Sequence, residues 1–147
     1  MTKKTVGRPR KTGGKAKYLT PMDIMKVERT QKGKKHELRN LTLFHYGLGT
    51  GMRLGELATL LVDDVWYQGK PLEEVVLVYQ VTKQGRSRTV IVGETAQQWL
   101  IEWMKFKEET YKYDELRNGK NPKSLLFPSP RDADQPMSSS SLCHTRN

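Results

Sequence analysis

Residues 48–61, LGTGMRLGELATLL, decide how this chain is read. A Gly-Thr-Gly turn runs into an apolar helical pattern, and a single arginine, Arg53, stands at its mouth. The first N–H groups of a helix have no intrahelical acceptor, and the helix dipole adds partial positive charge at the same end. An arginine beside them makes a place for an anion, phosphate above all. The same glycines serve equally well to end one helix and cap the next. The rest of the chain has to choose between the two.

Downstream, Leu54, Leu57, Ala58 and Leu61 are the expected buried stripe of the helix that Arg53 opens. Arg53 and Glu56 are three residues apart and therefore neighbours on one helical face. A carboxylate there can hold a guanidinium in one orientation, with its planar fork presented to phosphate oxygens. As an ordinary surface ion pair, the two would contribute little. Residues 73–93, EEVVLVYQVTKQGRSRTVIVG, contain two β-branched runs, 75–82 and 88–92, separated by a short polar segment with Gly85. This is the pattern of an antiparallel β-hairpin. Lys83, Arg86 and Arg88 lie at its expected tip, placed either to meet DNA or to guard a sheet edge against pairing. Residues 95–110 read as an amphipathic helix with Ala96, Trp99, Leu100 and Trp103 on its core face.

Upstream, Thr20-Pro21-Met22-Asp23 has the form of a helix start: a threonine cap, proline at the first helical position and an acid at the third. Ile24, Met25 and Val27 give this helix a short apolar face. A second helix is expected from about 36 to 48, with Leu38, Leu41, Phe44, His45 and Leu48 at spacings of three and four. His36 and His45 have no acidic or cysteine partner close in sequence, and both are read as structural. These elements amount to an α+β fold, mainly helical, with a small antiparallel sheet.

Composition agrees with one domain of 147 residues and 35% hydrophobic content. Purely apolar runs are a few residues long, far from the ~20 that span a bilayer, and no apolar signal core follows the basic start. The expectation is a cytoplasmic protein with no membrane partner. Cys143, with only His144 beside it, offers neither a disulfide nor a metal-ligand set, so no metal or cofactor is expected. Of the net charge of +10, seven units lie in residues 1–17, which contain no acid. That segment, MTKKTVGRPRKTGGKAK, has no apolar periodicity and reads as a disordered basic arm ahead of a body at 18–147. Such a balance points to a polyanion, here double-stranded DNA. Within the arm, Gly7-Arg8-Pro9 followed by Arg10 and Lys11 resembles the core of an AT-hook, which lays arginine into a narrow minor groove, although Val6 stands where that motif has another arginine. An unspecific basic arm is the other reading of the same residues.

The order of these pieces carries a resemblance: YLTPMDI at 18–24, TGMRLGEL at 50–57, DDVW at 63–66, VTKQGRSRTVIV at 81–92 and LFPS at 126–129. Together they resemble the N-terminal part of the catalytic domain of the tyrosine recombinases, the phage integrase family, over residues 18–147. They are most similar to the minimal members that flip fimbrial promoters, which begin almost directly at this first helix. The resemblance implies site-specific DNA recombination and integration, as in mobile elements. On it, Arg53 is the first of two arginines that clamp the scissile phosphate and stabilise its developing charge. Glu56 is the acid that supports Arg53, and Lys83 is the general acid that protonates the departing 5′ oxygen. The family's nucleophile is a tyrosine that forms a 3′-phosphotyrosyl link.

The match stops short of the whole pattern. In the family, a His-x-x-Arg box and the nucleophile follow the segment that here reads SSSSLCHTRN, and His144-Thr145-Arg146 has one intervening residue where the box has two. None of Tyr18, Tyr46, Tyr67, Tyr79, Tyr111 and Tyr113 stands in the nucleophile's context. The expectation is a truncated catalytic domain that binds DNA, and other recombinase protomers, without cutting DNA alone. A non-catalytic DNA-binding regulator and an interaction module for a full-length recombinase are the two alternatives.

Incubated with a suicide DNA substrate, the 147-residue chain is expected to form no covalent adduct on a denaturing gel; an adduct mapping to any of its six tyrosines would contradict this reading. Deleting residues 1–17 is expected to weaken duplex binding and flatten its salt dependence, because each neutralised phosphate contributes about −0.9 to the log–log slope. Unchanged affinity and slope would remove the arm from the DNA contact.

Overall fold

The computed structural model of the chain describes residues 18–78, 85–110, 125–129 and 137. Its elements run α1 (Pro21–Gln31), α2 (Glu37–Thr50), α3 (Leu54–Thr59), α4 (Val62–Val65), β1 (Trp66–Tyr67), β2 (Lys70–Pro71), β3 (Glu74–Leu77), β4 (Arg88–Ile91) and α5 (Glu94–Thr110). The expected α+β class, mainly helical with antiparallel pairing, is what the chain adopts. Two separate two-stranded sheets are present, β1 with β2 and β3 with β4.

Local chemistry sets most element ends. At α1, the Thr20 hydroxyl accepts the Asp23 N–H at 3.3 Å while the Asp23 carboxylate accepts the Thr20 N–H at 3.0 Å, a reciprocal capping box. The Thr20 backbone and hydroxyl donors hold the Asp23 carboxyl below its ordinary pKa. α2 stops at Gly51, whose φ of 66° is left-handed and whose N–H bonds the Gly47 carbonyl at 2.9 Å. The expected Gly-Thr-Gly turn is thus narrower than read: Gly49 and Thr50 are the last residues of α2, and Gly51 alone ends one helix before the next begins. β1 and β2 join through Gln68 and Gly69, both at positive φ, as a two-residue hairpin requires.

The stretch after Arg53 differs from the expected single helix. α3 ends at Thr59, because the Leu61 N–H turns to the Asp64 carboxylate at 2.9 Å and opens α4. Leu57, Ala58 and Leu60 are buried, whereas Leu54 is exposed and Leu61 lies half-buried beyond the helix end. The missing register is a tertiary choice: Leu60 accepts a strand-like bond from Leu126 N–H at 2.8 Å, and Leu61 bridges Leu125. The small β1–β2 hairpin carries no pattern long enough to be read from the sequence.

The core lies between α2 and α5, with β3–β4 along one side. α2 passes close to α3 because Gly47 has no side chain; a Cβ there would sit 2.9 Å from Leu57 Cδ1. The Thr42 hydroxyl reaches the Trp99 carbonyl across the α2–α5 seam at 3.4 Å. Val75 pairs with Val90 and points inward, and Leu77 is buried beside them. Residues 125–129 return through this core: Leu126 and Phe127 are fully buried, and Trp103 Nε1 donates to the Leu126 carbonyl at 2.9 Å. Trp103 is thus a core residue, as expected of it. Trp99 is half-buried and stacks on His45, with centroids 4.7 Å apart and planes 5° from parallel. His45 is structural as read, and its acidic partner is Glu28 on α1, at 3.0 Å and 17 residues away in sequence.

Lys107 joins α5 to the returning segment, donating to the Leu125 carbonyl at 2.8 Å. Burial lowers its pKa from 10.5 to about 8. The folded state thus holds this proton less tightly than the unfolded chain, so a penalty is present below pH 8 and fades as pH rises towards 10.5. Relative to Lys107→Met, the native chain should gain on the order of 2 kcal/mol between pH 7 and pH 10 in denaturant melts. Parallel pH profiles for the two proteins would show that this lysine carries no such penalty.

Candidate functional site

Arg53 is the N-cap residue of α3, in extended conformation (φ −74°, ψ 154°), and it is exposed. Its position follows from the chain on either side, since Gly51 ends α2 in a left-handed turn and Met52 is buried beneath it. The side chain is thereby set at the surface, at the start of α3.

Glu56 occupies the third position of α3 and is only 2% exposed. Its Oε2 accepts the Arg53 backbone N–H at 2.8 Å and Arg88 Nη2 at 2.6 Å. Glu56 Oε1 is also buried and has no hydrogen-bond partner among the described residues. This is half of a capping box; the reciprocal half is absent, because an arginine side chain has no acceptor to offer the helix. The acid therefore steadies Arg53 through its backbone, and the guanidinium it holds is that of Arg88. The i,i+3 spacing from Arg53 could not distinguish these two modes of support.

Arg88 opens β4 and pairs with Leu77 of β3, so it lies on a paired strand rather than at the hairpin tip. Its inward orientation follows the strand alternation: Arg88, Val90 and Val92 share one parity, and both valines are buried. That alternation was visible in RTVIV, and it is the signal by which the partnership with a buried acid could have been anticipated. The Arg88 side chain remains 44% exposed, so its guanidinium bridges the interior carboxylate and the surface. Arg86 is exposed two residues earlier. Arg53, Glu56 and Arg88 are therefore brought to one corner of the body. Lys83, Arg8, Arg10 and Lys11 lie outside the described residues.

Other titratable groups have structural surroundings. Tyr46 is wholly buried and its hydroxyl has no partner among the described residues; burial first, and the Asp64 charge second, push its phenol well above the ordinary range. It is a core residue. Among the described residues, no group of three or more His, Cys, Asp or Glu side chains is placed to hold a metal ion. No helix among them is long and apolar enough to cross a membrane.

Helices with two small antiparallel sheets, and an exposed arginine at a helix start whose N–H shares a buried acid with a second arginine, make up this α+β domain. Compared with known protein families, residues 17–146 match the phage integrase family, and the chain belongs to that family, the tyrosine recombinases of site-specific recombination and DNA integration. No curated protein matches the chain.

Proposed function

We propose that this chain binds double-stranded DNA and that Arg53 takes a backbone phosphate at the start of α3, as the first phosphate-clamping arginine of strand exchange. One observation carries the reading: the buried Glu56 carboxylate binds both the Arg53 N–H and the guanidinium of Arg88, 32 residues further along the chain. A helix cap and an isolated edge-strand cation have no reason to meet on a buried acid.

In this reading, the planar fork of Arg53 bonds two phosphate oxygens and stabilises the charge that grows on them during attack. Glu56 is a positioning residue, since it touches the backbone of Arg53 and not the DNA. Lys83 serves as general acid to the departing 5′ oxygen, and Arg86, Arg8, Arg10 and Lys11 add phosphate contacts that set affinity more than position. Recombinase protomers are the protein partners, and the cytoplasm, where chromosomal DNA is accessible, is the setting.

The test is binding of a short fluorescent duplex at several salt concentrations. Arg53→Ala should weaken binding on the order of tenfold, the worth of a lost charge-assisted contact. Lys32→Ala, which removes an exposed cation just after α1, should change it less than about twofold, as expected for diffuse charge. Equal effects of the two substitutions would overturn the phosphate reading of Arg53.

A further inference from the structure

We infer that Arg88 is a positioning residue: through Glu56 it holds the start of α3, and with it Arg53, in the orientation that meets phosphate. This inference rests on the phosphate role of Arg53 proposed above.

The geometry distinguishes Arg88 from a cation that simply meets DNA. It is fixed on a paired strand, opposite Leu77, on the same side of the strand as the buried Val90. Its guanidinium bonds a carboxylate that is 2% exposed, at 2.6 Å. The accepting atom, Glu56 Oε2, is the one that takes the Arg53 N–H, so moving Arg88 disturbs the atom that pins the Arg53 backbone. Arg53 is in extended conformation; its carbonyl accepts the first α3 bond, from Leu57 N–H at 3.0 Å, and its own N–H is held by this single side chain. Without the pin, the turn between Gly51 and Leu54 is free to rotate the guanidinium away from its line, and a misplaced clamp loses most of the advantage of preorganisation.

The inference makes a prediction whose sign opposes simple electrostatics. Removing an acid from a DNA-binding protein raises its positive charge, which by itself tightens binding. If Glu56 and Arg88 act by positioning Arg53, Glu56→Gln must weaken binding instead.

The experiment measures duplex affinity by fluorescence anisotropy on the full chain, with thermal melting of each variant. Glu56→Gln and Arg88→Gln are each expected to weaken binding several-fold, approaching the loss from Arg53→Ala, and to add less than about twofold when Arg53 is already alanine. Arg88→Gln leaves a buried carboxylate without its cation and can fail to fold. The double variant Glu56→Gln/Arg88→Gln removes both charges, so no buried carboxylate is left without a cation; it carries the test in that event and is expected to bind as weakly as Arg53→Ala. Binding by Glu56→Gln or the double variant as tight as the native chain, with Arg53→Ala weak, overturns the inference and leaves the phosphate role of Arg53 standing. An Arg88→Gln loss of equal size with and without Arg53 also overturns it, since that is the behaviour of an independent DNA contact. An Arg53→Ala variant that binds like the native chain overturns both.

Discussion

One buried carboxylate sets the geometry of this corner of the molecule. Glu56 has almost no contact with solvent, and an ionised carboxyl is costly to bury unless donors surround it. It obtains one donor from the start of its own helix and one from the strand β4, and both converge on Oε2. Losing a cation from such a pair typically costs about 3–5 kcal/mol when both partners are interior; the exposure of Arg88 reduces that here. The constraint is mutual, because α3 cannot rotate and β4 cannot slip by one residue without separating the pair. A one-residue slip would turn Arg88 to solvent and Thr89 towards the acid.

The remaining packing delivers α3 and β4 to that meeting point. α2 approaches α3 closely where Gly47 leaves room for Leu57, and Gly51 reverses the chain in a conformation that other residues adopt only with strain. The β3–β4 pair is seated by Val75 and Val90 on the face that packs against the core. Residues 125–127 tie α5 to the end of α3: Trp103 and Lys107 reach their carbonyls, and Leu126 N–H bonds Leu60. The LFPS segment, which contributes to the family resemblance, is thus a strut through the core rather than part of the basic corner.

Helix starts were legible in the sequence because their chemistry is local. Thr20 and Asp23 cap α1 with atoms three residues apart, and Gly51 ends α2 by its own backbone freedom. The β-branched runs announced the β3–β4 pairing, and the 3.6-residue period of Ala96, Leu100 and Trp103 announced α5. Less legible were contacts between distant residues. His45 had no acidic neighbour in sequence, yet Glu28 lies 3.0 Å from it across α1 and α2. α3 stopped early because Leu60 and Leu61 engage Leu125 and Leu126, which no periodicity near residue 60 records.

The family and the α+β class were legible in the sequence, since motif order, caps and alternation are written in neighbouring side chains. Which acid holds which arginine was decided by tertiary structure alone. Spacing placed Arg53 and Glu56 on one helical face, but only the seating of β4 against α3 brought Arg88 to the carboxylate, 32 residues from its partner. A hydrogen bond depends on distance in space and a sequence records distance along the chain, so the nearer residue in sequence gave its backbone to Glu56 and the farther one gave its charge.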